Sequence, residues 1–322
     1  MDWKKRVFEQ KEEVEFEQLA LEIYAFQREN NPVLRQYLDL LGVGNIERLE
    51  DIVYLPIRFF KNHDILSVPK SGKEMLFLSS GTGDVGRSKH QIPDILWYEI
   101  SFEKTYRLLF GQPENQVILA LLPNYLEQGN SSLVYMVNKL VELTNNDLSG
   151  FVLGQTESVV RAYNEAIATG KEVVLFGVSY ALLDLIEQGI SLPQAKIIET
   201  GGMKGRRKEE TKAVLHDLLK SGFGVDRIYS EYGMTELLSQ AYSSDFNDFR
   251  CPPWMKVTFA ELNDPLTVTS GVRKSRINVI DLANFQTCSF IQTEDTGRKT
   301  EFGFSLEGRM DLAELRGCNL MI

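Results

Sequence analysis

EVVLFGVSYALLDLIEQGISLPQAKIIETGG, residues 172–202, decides the fold. It opens on an apolar run from Glu172, passes through SYALLDLIEQG, which reads as a helix, and closes on a second apolar run from Ala195. Strand, helix, strand is the repeating unit of a parallel sheet. The alternation continues outward. Upstream, QVILALLP (116–123) and FVLG (from 151) read as strands, and SLVYMVNKLVEL and ESVVRAYNEAIATG as helices, the latter ended by Gly170. Downstream, RKEETKAVLHDLLKSG reads as a helix closed by Gly222, and DRIYSEYG (from 226) as a strand. Apolar strands separated by helices of about 10 to 15 residues predict an α/β fold, a layered sheet with helices on both faces. From Met255 the pattern changes to short alternating strands (KVTFAEL, RINVIDL, CSFIQT, FGFSL), a smaller β-rich subregion.

Toward the N-terminus, residues 1–40 read as helical. Phe16, Leu19, Ile23 and Phe26 form one apolar stripe with Phe8 close to it, and Pro32 marks a break. LPIRFFKNHDI (55–65) reads as a packing segment, with Arg58, Lys61 and His63 as alternatives that face a site. A helix is expected from Pro93 to about Phe110. The formal charge of −10 argues against a nucleic-acid partner, and KGRRK (204–208) is too short to reverse that. No apolar run approaches the roughly 18 residues of a membrane span. The charged N-terminus lacks the apolar core of a secretory signal. Three separated cysteines, Cys251, Cys288 and Cys318, form no disulfide framework or zinc pattern, so a reducing, cytoplasmic setting is expected.

Ligands of a parallel sheet bind beyond the carboxyl ends of its strands. Here those ends carry SSGTG, FGVSY, ETGGMKG and SEYGMTE, which predicts a nucleotide-sized ligand. The first belongs to EMLFLSSGTGDVGRSKH (74–90), in which Met75–Leu78 reads as a short buried strand. Glycines 81, 83 and 86 let the backbone approach a ligand. Ser79, Ser80 and Thr82 offer hydroxyls, with freed N–H groups, to phosphate oxygens, and Arg87 and Lys89 add positive charge. GTGDVGRS (81–88) matches the P-loop spacing, with Arg87 where lysine is needed. A P-loop also requires a helix starting at its second glycine, and Pro93 would break that helix about two turns in.

Five motifs together resemble the adenylate-forming enzymes. SSGTGDVGRSK is similar to their Ser/Thr/Gly phosphate loop, and ETGGMKG (199–205) to the Gly-Gly turn beside adenine. SEYGMTE (230–236) resembles Tyr-Gly-x-Thr-Glu, QTEDTG (292–297) the ribose segment, and LEGRMD (306–311) the Gly-Arg-x-Asp hinge. The resemblance implies ATP and Mg²⁺, with Ser79, Ser80, Gly81, Thr82 and Gly83 around the phosphates. Gly201 and Gly202 would border adenine, and Tyr232, followed by Gly233, would stack on it. Thr235 would donate to the α-phosphate, Glu236 would hold Mg²⁺, and Asp295 and Arg309 would fix the ribose. A carboxylate attacking the α-phosphate needs such a cation, metal and donors to absorb charge. The residues alone also allow Tyr232, Thr235 and Glu236 merely to start a helix, the acidic group favoured by its dipole.

Most adenylate-forming enzymes continue past the hinge into a small domain that supplies a lysine. This chain stops at Ile322, about eleven residues after Asp311, so that domain is expected to be absent. The short tail RGCNLMI resembles one branch, the acyl-protein synthetases of the luminescence fatty-acid reductase system (LuxE family). Those activate a fatty acid as acyl-AMP, load it onto a cysteine near their C-terminus and pass it to a reductase subunit. By that resemblance Cys318 accepts the acyl group, with Arg316 lowering its thiol pKa; the alternative is a small buried hydrophobe. Arg87 and Lys89, or a partner protein, would replace the missing lysine, and His90 would orient a donor. The implied division is a large domain over 1–307 (helical segment 1–70, α/β core 71–250, β-rich subregion 251–307) and a hinge-like tail over 308–322. The implied partners are a fatty acid or other carboxylate and an acyl reductase or acyl-carrier protein. Two alternatives stand beside it: an ATP-independent acyltransferase using Cys318, and a non-catalytic nucleotide-binding protein. Apolar residues 176–183 are read either as a chain pocket or as core.

Overall fold

The computed structural model describes residues 2–10, 12–70, 72, 74–79, 86–123, 129–201, 211–244 and 247–310. The α/β expectation holds. Gln116–Leu121, Glu172–Val178, Ala195–Thr200 and Ile228–Tyr232 are neighbouring parallel strands, with Gly150–Phe151 on the outer edge. Every residue of Gln116–Leu121 is buried, as a strand covered on both faces requires. The helices Ser132–Thr144, Thr156–Ala168, Ser179–Glu187 and Lys212–Phe223 pack onto these strands. Phe176 and Leu182 are fully buried in this core.

After Tyr232 the sheet turns antiparallel but does not end. Ala241–Ser243 pairs with Ile228–Tyr232, and Phe249–Arg250, Phe304–Arg309, Phe290–Lys299, Ser275–Asp281 and Met255–Ala260 follow across the sheet. The β-rich run therefore shares one sheet with the parallel strands. Within it Asp295 pairs in register with Arg309.

The N-terminal segment forms the helices Trp3–Glu9, Glu13–Asn30 and Pro32–Leu40. The break falls at Asn31, whose side chain accepts from the Val33 and Leu34 amides at 3.1 Å, with Pro32 in the first helical turn. Trp3, Phe26 and Trp97 stack around Phe285, which docks this segment onto the β-rich run. The expected helix after Pro93 is Leu96–Phe110.

The helix Lys212–Phe223 differs from expectation at its end. Gly224, at φ +73°, caps it, and Gly222 lies inside. A Cβ at Gly222 would stand 2.6 Å from Ile186, so this glycine permits the close approach of the helix Ser179–Glu187. No helix among the described residues is long and apolar enough to cross a membrane.

Candidate active site

Met75–Leu78 pairs antiparallel with Lys89–Ile92, forming a two-stranded hairpin outside the main sheet. Only one side of the first strand is covered: Phe77 is buried while Leu76 is 42% exposed. The expectation of a buried strand is thereby corrected. The chain leaves the loop into a strand rather than a helix, which removes the P-loop reading, since that loop needs a helix N-terminus. Ser79 and Ser88 close the loop's base. The Ser79 amide donates to the Ser88 carbonyl at 3.0 Å, and the Ser88 amide to Ser79 Oγ at 2.9 Å. Arg87 Nε donates to the Ser79 carbonyl at 2.6 Å, and Lys89 is exposed. Ser80, Gly81, Thr82, Gly83, Gly202, Arg316 and Cys318 lie outside the described residues.

His90 ties this hairpin to the Tyr-Gly-Met-Thr-Glu segment. Its Nδ1–H donates to the Thr235 carbonyl at 2.7 Å, and Nε2 lies 2.9 Å from Thr287 Oγ1. The Thr287 hydroxyl also lies 2.5 Å from Asn284 Oδ1, so its one proton serves two acceptors. Asn284 Nδ2 donates to the Glu236 carbonyl at 2.8 Å. Phe60 meets the imidazole edge-on at 5.4 Å. Burial pushes the His90 pKa down to about 4, against the hydrogen bonds to Thr235 and Asn284, so the ring is neutral near pH 7. On the far side of Glu236, Asp281 accepts from the Leu238 and Ser239 amides at 2.8 and 2.9 Å and from Ser239 Oγ at 2.6 Å.

The same segment reaches the β-rich run. Tyr232 Oη donates to Asp295 Oδ2 at 3.1 Å, and Arg309 Nε donates to Asp295 Oδ1 at 3.0 Å. The Tyr232 ring packs edge-on against Phe249 and Phe304. Tyr232, Asp295 and Arg309 thus form one contact group. Glu236 is 5% exposed, and burial raises its pKa, opposed by the Ser88 hydrogen bond and by the positive charges of Arg309 and Lys61. Ser88 therefore joins the loop's base directly to the Glu236 carboxyl.

Gly201 is held from below. Ser179 Oγ lies 3.0 Å from the Gly201 carbonyl and 3.1 Å from Glu199 Oε2. Glu199 also receives Ser230 Oγ at 2.6 Å and Lys212 Nζ at 2.5 Å. Burial alone would raise its pKa, but His216, Lys212 and Ser230 bring it to about 2. Gly201, at φ +69°, takes a backbone conformation that suits glycine.

Sequence reading missed Asn284, Thr287 and Asp281 as groups that hold this segment, and gave Ser88 no role toward Glu236. LANFQTCS (282–289) carries no motif, and the contacts span 145 and 197 residues, which spacing cannot reveal.

No family model matches the chain. It is similar to the long-chain-fatty-acid–luciferin-component ligase of Vibrio harveyi, a LuxE acyl-protein synthetase, at 25% identity over 297 residues, 85% of this chain and 76% of the relative. Among solved structures it resembles the O-succinylbenzoate coenzyme A synthetase of Bacillus subtilis in complex with ATP and magnesium ion (TM-score 0.52, 16% identity, 84% of this chain). It also resembles 2-hydroxyisobutyryl-CoA ligase in complex with 2-HIB-AMP and CoA (TM-score 0.67, 12% identity, 96% of this chain and 70% of that one). The chain spans about half (55%) of the length of the Bacillus synthetase. These likenesses establish the fold, that of the large domain of adenylate-forming enzymes.

Proposed function

We propose that the chain is an AMP-forming ligase that activates a carboxylic acid with ATP and transfers the acyl group to a cysteine thiolate, as an acyl-protein synthetase does. The observation that carries this reading is His90, one buried ring fastening the hairpin that flanks the glycine-rich loop to the Thr235 carbonyl, which supports a ligand shared by the two motifs. In this reading adenine lies between Gly201–Gly202 and Tyr232, with Gly233 alongside. The ribose rests on Asp295 and Arg309, and the phosphates on Ser79, Ser80, Gly81, Thr82 and Gly83.

Glu236 fits a hard cation. Among the described residues no three metal-ligating side chains cluster, which suits Mg²⁺, an ion that takes most of its ligands from phosphates and water. Bound there, Mg²⁺ neutralises charge on the phosphates. Thr235 donates to the α-phosphate, and Lys61 and Arg309, whose charges reach Glu236, join Arg87 and Lys89 as the positive side of the site. A substrate carboxylate oxygen bonds to the α-phosphorus as the bond to pyrophosphate breaks, giving acyl-AMP. The Cys318 thiolate then attacks the acyl carbon and AMP leaves.

The Vibrio relative's name supports a fatty acid as substrate, and the Bacillus complex supports ATP with Mg²⁺. An acyl reductase or acyl-carrier protein would take the acyl group onward. The free thiols of Cys251 and Cys288 support a cytoplasmic setting. The division into a large domain, 1–307, and an acyl-carrying tail, 308–322, belongs to the same reading. Radiolabelled fatty acid with ATP should leave a hydroxylamine-labile label on the protein, and Cys318→Ser should abolish the label while acyl-AMP still forms. Labelling that needs acyl-CoA and no nucleotide would replace this reading with the acyltransferase.

A further inference from the structure

The strand Phe290–Lys299 bulges where it meets Ser275–Asp281. Asn278 pairs with Gln292 and Arg276 with Thr296, so Thr293, Glu294 and Asp295 all stand opposite Ile277. A bulge re-aims the side chains it carries. This one borders a cavity of about 150 Å³, lined among others by Arg58, Arg276, Gln292, Thr293, Glu294 and Met310. The volume lies well below the roughly 300–1,000 Å³ of a drug-sized ligand site, so the cavity suits a compact group rather than a nucleotide or an acyl chain. Tyr232, Thr235, Glu236 and Asp295 do not line it, which separates it from the contacts assigned above to the nucleotide.

The chemistry of the cavity is one-sided. Arg58 Nε donates to Glu294 Oε1 in an ion pair, and the Arg58 side chain is 43% exposed, which puts it at the mouth. Arg276 is more enclosed. One of its terminal nitrogens donates to the Leu262 carbonyl at 3.2 Å, while Nε is buried with no hydrogen-bond partner among the described residues. Burial first and the Arg58 charge next lower the Arg276 pKa, opposed by Glu294, so two like charges share one carboxylate. The polar neighbours are already committed: Thr293 Oγ1 donates to the Ile277 carbonyl at 2.7 Å, and Gln292 Nε2 to the Pro265 carbonyl at 2.9 Å. A buried charged donor without an acceptor is what folded chains avoid. A compact anion that accepts from Arg276 Nε and from the Arg58 guanidinium would supply both the missing acceptor and the missing charge.

We infer that this cavity binds a phosphate group through Arg276 and Arg58, either free inorganic phosphate or the end of a small phosphate monoester. The donor set selects phosphate: a guanidinium fork pairs with its oxygens bidentately, and the several oxygens of one phosphate can serve two forks at once. At a formal charge of −10 the chain repels anions on average, so the attraction has to be local to this pair. Met310, whose amide donates to the Glu294 carbonyl, places the anion at the root of the tail. Nothing in this site requires the chain to adenylate a carboxylate.

The test is titration calorimetry of the full chain without nucleotide, at an ionic strength held constant with chloride, using inorganic phosphate and methyl phosphate. The unaltered chain should bind at least one of them, and the bound anion should raise its melting temperature by mass action. Arg276→Leu should weaken binding about tenfold or more and abolish that thermal shift, while its own melting temperature without phosphate holds or rises, since a buried unpaired charge is gone. Arg276→Lys keeps the charge without the fork and should recover only part of the affinity. Arg58→Gln, at the exposed mouth, should weaken binding too and decides the matter should Arg276→Leu fail to fold. Similar affinities for the two probes would extend the site to esters, and binding of inorganic phosphate alone would restrict it to the free anion; either supports the site. No binding by the unaltered chain, or binding that Arg276→Leu and Arg58→Gln leave unmoved, overturns it. So does binding that emerges only in Asp311→Asn, which would mean that a carboxylate of the tail fills the cavity.

Discussion

A histidine buried as a neutral ring makes the hairpin sensitive to acid. His90 has its pKa lowered from 6.5 to about 4, chiefly by burial. A group whose folded pKa lies below its unfolded value contributes stability that is complete above pH 6.5 and drains away as pH falls toward 4, because the unfolded chain takes up the proton first. The full loss is about 3 kcal/mol, and about 1 kcal/mol of it should be gone by pH 5.5. Glu231, Asp281 and Glu236 act in the opposite sense. Their folded pKa values are raised, so acid relieves their buried charge. Comparing unfolding free energies from urea titrations at pH 7.5 and 5.5, for the unaltered chain and His90→Gln, cancels that shared contribution. Glutamine keeps a donor and an acceptor but does not titrate. The unaltered chain should lose about 1 kcal/mol more than the variant on acidification. Equal losses would show that His90 takes up its proton as readily folded as unfolded, and the account of the hairpin's attachment would fail with it.

Four further outcomes follow from the geometry. Tyr232→Phe removes the hydroxyl bound to Asp295 and should raise the KM for ATP about fivefold with kcat nearly unchanged, measured by pyrophosphate exchange. Glu236→Gln should lower Mg²⁺-dependent exchange by about a hundredfold or more while the melting temperature holds or rises, since a buried charge is removed. Asp281→Ala strands two amides and a hydroxyl and should cost about 3 kcal/mol or more in urea unfolding, with Asp281→Asn recovering part. Gly222→Ala should cost about 1–3 kcal/mol through the clash with Ile186, and a neutral result would mean the two helices part freely.

Where the sequence was legible, local chemistry agreed with the global fold. The parallel strands were readable because strands buried on both faces must be continuously apolar. Asn31 and Pro32 marked a helix junction by capping alone. Gly222 misled because a glycine near a helix end has two uses, a left-handed cap or close packing, and only the position of Ile186 distinguishes them. Met75–Leu78 misled because an apolar run does not say how many of its faces are covered. At the site, the motifs indicated which segments meet but not what holds them. His90, Thr287 and Asn284 form a chain of contacts between remote positions, and no periodicity encodes such a chain.

The Met310 amide, donating to the Glu294 carbonyl at 2.8 Å, is the last described bond before the tail, one residue past the Asp295–Arg309 pair. Cys318 lies eight positions beyond Met310, a span of at most about 27 Å when a peptide is fully stretched. On the proposed function, the tail therefore starts beside the residues that would hold the ribose rather than at a distant rim. If Cys318 carries the acyl group as proposed, shortening the tail by a few residues should strand that group near its loading point, whereas lengthening it should cost little, so deletion and insertion there are expected to have unequal effects on transfer to an acceptor protein.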